Sequence, residues 1–155
     1  MIIMLKIFKK MFKKVPKENT RNNLAVFVDG PNMLRKEFNI DLSKIKSQLL
    51  KEGSLKIARV YLDQYATDKL IEAVVNLGFE SIITVGDVDV AMSVDATEAA
   101  FNHEIDTIVF ITRDSDYLPA ILKAKRQGKK TVVYLVEEGS AVALKNTVDR
   151  VVFIK

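Results

Sequence analysis

The 155-residue sequence predicts an α/β fold: a mostly parallel central sheet, strand order around 3-2-1-4-5, with helices on both faces. Three observations carry this expectation. Strand-like and helix-like segments alternate from residue 24 to the last residues. The runs LAVFV at 24–28 and TIVFIT at 107–112 are continuously apolar instead of alternating, as strands covered on both faces are. Finally, 48% hydrophobic and 28% charged residues describe one ordinary globular domain of this length.

Leu24 to Val28 is the first strand, and Asp29-Gly30-Pro31-Asn32 turns the chain at its end. A helix is expected to start within 33–39, and another runs from the Asp41 cap through Leu50 to a stop near Gly53. Lys56 to Leu62 is the second strand. Thr67 to Leu77 carries apolar residues at 70, 73, 74 and 77 and closes on Gly78, the pattern of a helix with a glycine stop. Glu80 to Val85 is the third strand, and Gly86 and Asp87 lead into a helix over Val88 to Asn102. The strand at 107–112 is followed by a helix from 117 to Gln127 that stops at Gly128. A strand over Thr131 to Val136, a short helix over Ala141 to Thr147 and a strand over Arg150 to Ile154 complete the chain.

Right-handed crossovers leave few topologies for such an alternation. In the doubly wound order, strands one and four are neighbours where the winding reverses, and ligands bind there at the carboxyl ends of the strands. Both strands end in acids: the first in Asp29, the fourth in Arg113-Asp114-Ser115-Asp116. Each acid also has a local reading. Asp29 can be part of a turn, and Asp114 or Asp116 can cap the helix that follows.

Asp95 has no such turn to serve. It falls on the core-facing stripe of the 88–102 helix, so it needs a charged or hydrogen-bonding partner or a polar crevice to face. If it faces the crevice, Asp29, Asp95, Asp114 and Asp116 converge there, and like charges so close call for a divalent cation. Oxygen ligands without His or Cys suit Mg²⁺ or Mn²⁺, which can activate a water for attack on phosphorus. Asn32, three residues after Asp29, is placed to hold a carboxylate or a metal-bound water in position.

Composition closes off other chemistries. There is no cysteine, which excludes disulfides and thiolate metal sites, and the lone His103 lies in a polar stretch that reads as surface. A haloacid-dehalogenase-like phosphatase needs an Asp where Pro31 stands, and dinucleotide binding needs more glycine than Gly30 after the first strand. No nucleophilic Ser or Cys constellation is present.

Ahead of the domain, residues 1–15 place Met1, Met4, Leu5, Phe8, Met11, Phe12 and Val15 on one helical stripe with five lysines on the rest. This basic amphipathic segment suits an anionic membrane surface, a protein partner or nucleic-acid phosphates, or else it packs on the domain or stays disordered. Residues 16–23 read as a polar linker to a domain spanning 24–155. Residues 1–22 hold seven Lys/Arg against one Glu, which leaves 17 against 19 acids in the rest, so the net charge of +4 belongs to the tail. Lysines interrupt the segment too often for a spanning helix, and it lacks the features of a signal peptide, so a cytoplasmic protein, peripheral to a membrane at most, is expected.

FVDGPN at 27–32, VDVAMSVDA at 88–96, ITRDSDYLPAILKAKRQGKKTVVY at 111–134 and SAVALKNTVDRVV at 140–152 together resemble the NYN domain, LabA-like branch, of the PIN-like nuclease superfamily. The resemblance covers nearly all of residues 24–155, with its motifs in order. It implies a Rossmann-like α/β domain, an acidic cluster binding one or two Mg²⁺ or Mn²⁺ ions, and cleavage of RNA in active members. By position, Asp29, Asp95, Asp114 and Asp116 match the acidic cluster, Asn32 matches the Asn after the first acid, and Asp89 matches a frequent but less central acid, expected at most behind the direct ligands. Arg113 stands where the family commonly has a small residue. It can fork onto a substrate phosphate or fold onto a carboxylate and displace the metal. The implied partner is RNA, with a homo-oligomer also open. The competing reading is a catalytically silent RNA- or protein-binding module whose acids are structural.

Overall fold

A computed structural model describes residues 1–11, 21–136 and 141–154, with residues 8–11 by backbone alone. Residues 12–15 of the amphipathic segment and 16–20 of the linker lie outside the described residues. The segment contributes helix α1 (Ile2–Met11), and Met1, Ile2, Ile3, Met4, Leu5 and Ile7 are all more than half exposed. No helix among the described residues is long and apolar enough to cross a membrane.

The centre of the domain is β1 (Asn23–Asp29), buried from Leu24 to Asp29. It pairs in parallel with β2 (Ser54–Asp63) on one side and β4 (Thr107–Ile111) on the other. β3 (Glu80–Thr84) lies outside β2, while β5 (Lys130–Leu135) and β6 (Arg150–Phe153) follow β4. The sheet is therefore six-stranded and wholly parallel, in the order β3-β2-β1-β4-β5-β6. This is the expected order extended by the terminal strand. The winding reverses between β1 and β4, as the doubly wound order expects, and both strands are buried, as their continuous apolar character required.

Side chains alternate across β1 and so divide the core in two. Leu24, Val26 and Val28 face a layer made by α2 (Gly30–Met33), α3 (Leu42–Glu52) and α4 (Asp68–Asn76), with Met33, Ile45, Leu49 and Val74 at its centre. Ala25 and Phe27 face α5 (Val88–Ala100), α6 (Leu118–Arg126) and α7 (Val142–Thr147) through Met92, Ala96, Ile121 and Leu144. Asp41 caps α3 by accepting from the Ser43 and Lys44 amides, and Thr67 caps α4 through the Leu70 amide.

The helix expected within 33–39 forms as two shorter pieces. Pro31, suited to a first helical turn, starts α2 at Gly30, and a 3-10 turn over Lys36–Phe38 ends at Asn39 in the left-handed region (φ 45). Gly30 also lets β1 turn close against β2, because a Cβ there would stand 2.3 Å from the Tyr61 carbonyl oxygen.

Candidate functional site

The sheet sets the site by bringing the carboxyl ends of β1 and β4 side by side, with Val28 opposite Ile111 in the register. One residue beyond each pair stand Asp29 and Thr112, both essentially buried. The Thr112 hydroxyl donates to Asp29 Oδ2 at 2.8 Å, and Asn32 Nδ2 donates to the same oxygen at 2.8 Å. Burial raises the Asp29 carboxyl above the usual carboxylate range, while the bonds from Asn32 and Thr112 oppose that rise.

Beyond Thr112 the chain turns through a 3-10 segment, Ser115–Tyr117, with Asp114 as its cap. The Asp114 amide donates to Thr112 Oγ1 at 3.1 Å, and Asp114 Oδ1 accepts from the Asp116 amide at 2.9 Å. Asp114 thus has the capping role that its position before Tyr117 and Leu118 suggested. Capping occupies one carboxylate oxygen and leaves the residue able to serve a ligand through the other.

The first turn of α5, packed on the same side of the sheet as the 3-10 turn and α6, comes to the same place. One carboxylate oxygen each from Asp89, Asp114 and Asp116 lie within 4.8 Å of one another, Asp116 being exposed and the other two partly buried. Asp114 and Asp116 are therefore brought together as the sequence placed them, next to the strand end that carries Asp29. The third member of the group is Asp89.

Asp95 is elsewhere. It is six residues along α5 from Asp89, and at about 1.5 Å per residue it lies roughly 9 Å farther down the axis, away from the carboxyl ends of the strands. Its Oδ2 accepts from the Tyr61 hydroxyl and pairs with Arg59 at 3.4 Å, and Arg59 also bonds Glu80 at 2.8 Å. The inward-facing acid has the partner its position on the stripe demanded, a phenol and a guanidinium of β2. The structure does not bring it into the group of three.

Arg113 packs on an aromatic ring. Its guanidinium carbon lies 4.9 Å from the centroid of the Phe38 ring, a cation–π contact, and among the described residues no ion pair joins it to an aspartate.

Two residues that the sequence reading passed over complete the geometry. Thr112 ties Asp29 to the Asp114 loop. Tyr117 is wholly buried, and its phenol is pushed well above its usual range by burial first and then by the Asp29, Asp89 and Asp114 carboxylates that face it. Although Asp29 is near, among the described residues no hydrogen bond of good geometry reaches the Tyr117 hydroxyl. A tyrosine immediately after Asp116, inside the acidic turn that follows β4, is the sequence signal that could have singled it out.

The family model for the NYN domain matches residues 23–155. An uncharacterized protein of Methanocaldococcus jannaschii is 57% identical over 145 residues, which cover 94% of this chain. The match spans 60% of that protein's length. With the family match running through every strand of the sheet and through all of the clustered acids, the chain belongs to the NYN domain family.

Proposed function

We propose that this chain is a metal-dependent endoribonuclease of the LabA-like branch, hydrolysing RNA phosphodiester bonds at the carboxyl ends of β1 and β4. The observation that carries the proposal is the convergence of Asp89, Asp114 and Asp116 within 4.8 Å, beside buried Asp29. Carboxylates this close repel, and a divalent cation relieves the repulsion. The donors are oxygens alone, which fits Mg²⁺ or Mn²⁺, and the unpartnered Tyr117 hydroxyl fits a site built to receive more than protein atoms. When bound, such an ion lowers the pKa of water and neutralises charge on the leaving oxygen.

The chain's own residues supply the rest. Asp89, Asp114 and Asp116 hold the cation, and Asp29, fixed by Asn32 and Thr112, completes the acidic wall. Arg113, stacked on Phe38, provides a fork-shaped donor for a substrate phosphate. Asp95 is a positioning residue: through Tyr61 it fixes the middle of α5 to β2 and so sets where Asp89 comes. The N-terminal segment, with its exposed apolar side chains and Lys6, adds attachment to an anionic membrane surface on the cytoplasmic side.

The test is an RNA cleavage assay on single-stranded substrate with Mg²⁺, Mn²⁺ or EDTA. The wild type is expected to cut with either metal, and EDTA or Asp114→Asn to reduce cutting by at least about 100-fold. Equal cleavage by Asp114→Asn, or cleavage that survives EDTA, contradicts the proposal.

A further inference from the structure

The domain holds three fully buried tyrosines, Tyr61, Tyr117 and Tyr134, and they are not treated alike. The Tyr61 hydroxyl donates to Asp95, and the Tyr134 hydroxyl donates to Glu52 Oε1 at 3.1 Å. The Tyr117 hydroxyl, equally buried, has no hydrogen-bond partner among the described residues. A buried hydroxyl left unpaired is destabilising, and such orphans in native proteins mark a role or an unseen water or ion. This orphan sits at the end of the 3-10 turn that carries Asp116, facing Asp29, Asp89 and Asp114. Asp89 and Asp114 belong to the group proposed to hold the cation, Asp29 flanks it, and the inference rests on that reading.

A phenol hydroxyl donates one hydrogen bond. With Asp89 and Asp114 engaged by the cation and Asp29 already accepting from Asn32 and Thr112, a further oxygen entering the crevice is the acceptor the hydroxyl lacks. We infer that Tyr117 is a positioning residue whose hydroxyl donates to a water that enters the crevice with the divalent cation, orienting that water between the Asp29 and Asp114 carboxylates. The hydroxyl is then unsatisfied in the metal-free protein and satisfied in the loaded one. Binding of the cation removes a local defect, and part of the site's affinity comes from that removal.

Tyr117→Phe deletes the hydroxyl and keeps the ring, so it tests the role without disturbing the packing. The measurement is the thermal midpoint of the full chain, wild type and variant, in EDTA and across a Mn²⁺ titration, with Mn²⁺ affinity read independently from the signal of the free ion. In EDTA the variant is expected to melt at or above the wild-type temperature, because the buried orphan is gone. With Mn²⁺ it is expected to gain less, its affinity for the ion falling about tenfold. A variant that is destabilised in EDTA and binds Mn²⁺ as the wild type does overturns the inference, since the hydroxyl would then be bonded within the protein. A wild type that shows no response to Mn²⁺ sinks the metal reading itself, and this inference with it. The two failures are distinguishable because the first leaves the wild-type response intact.

Discussion

The Thr112 hydroxyl donates to Asp29 Oδ2 at 2.8 Å, linking the ends of two neighbouring strands through residues 83 positions apart in sequence. The same oxygen of Thr112 accepts from the Asp114 amide, so one side chain sets the positions of two acids. Thr112→Val keeps the shape and removes both bonds. About 2 kcal/mol of stability is expected to be lost, since a buried bond to a carboxylate goes and an amide loses its acceptor. Chemical denaturation measures it, and a loss under about 0.5 kcal/mol would show that the tie contributes little.

Asp29 gives the domain a pH-dependent stability with a defined sign. Its carboxyl is raised in the folded state, so its contribution is fully present below the unfolded carboxylate range and is lost as pH rises through the folded value. Asp29→Asn keeps an acceptor for Asn32 and Thr112 and never ionises. In EDTA the variant is expected to become more stable than the wild type as pH rises from about 4, with the gap closing at lower pH. Melting curves across pH check this, and a gap that does not change with pH would contradict it.

Asp89 and Asp95 share a helix and are expected to differ in kind. Asp89→Asn should weaken Mn²⁺ binding by at least about tenfold with little change in metal-free stability. Asp95→Asn should do the reverse, costing about 1 kcal/mol through the Tyr61 and Arg59 contacts while Mn²⁺ affinity changes less than about threefold. Calorimetric Mn²⁺ titration of both variants separates them, and a larger binding loss from Asp95→Asn would reverse the assignment.

Most of the fold was legible because its signals are local. The apolar runs at 24–28 and 107–112 required strands covered on both faces, and Gly78 and Gly128, at φ 83 and 77, stop helices where the sequence placed the stops. Acids at strand ends were legible for the same reason, since a strand end fixes both the position of the residue and the rim it stands on. Asp89 and Asp95 were harder to rank. A helical stripe shows which face a residue is on, but its height above the sheet depends on where the helix starts relative to the strand ends, and that is a tertiary fact. Thr112 and Tyr117 were hidden because a threonine closing a β-run and a tyrosine beside a helix start look like ordinary packing residues until their hydroxyls are traced.

Arg113 on Phe38 makes a separable prediction about substrate. A donor that contacts a phosphate equally before and during reaction contributes to binding alone. Arg113→Gln is expected to raise KM for RNA about tenfold, with kcat and Mn²⁺ stabilisation little changed. If kcat falls and KM holds, Arg113 acts on the transition state instead.

The central claim is that the carboxylates at the ends of β4 and α5 hold the cation that RNA hydrolysis needs. Anomalous diffraction from a crystal soaked in Mn²⁺ tests it most directly. An ion is expected about 2 Å from carboxylate oxygens of Asp89, Asp114 and Asp116, with Asp95 still bonded to Tyr61. A soaked crystal with no peak at that cluster, or with Mn²⁺ held by Asp95 instead, would contradict it.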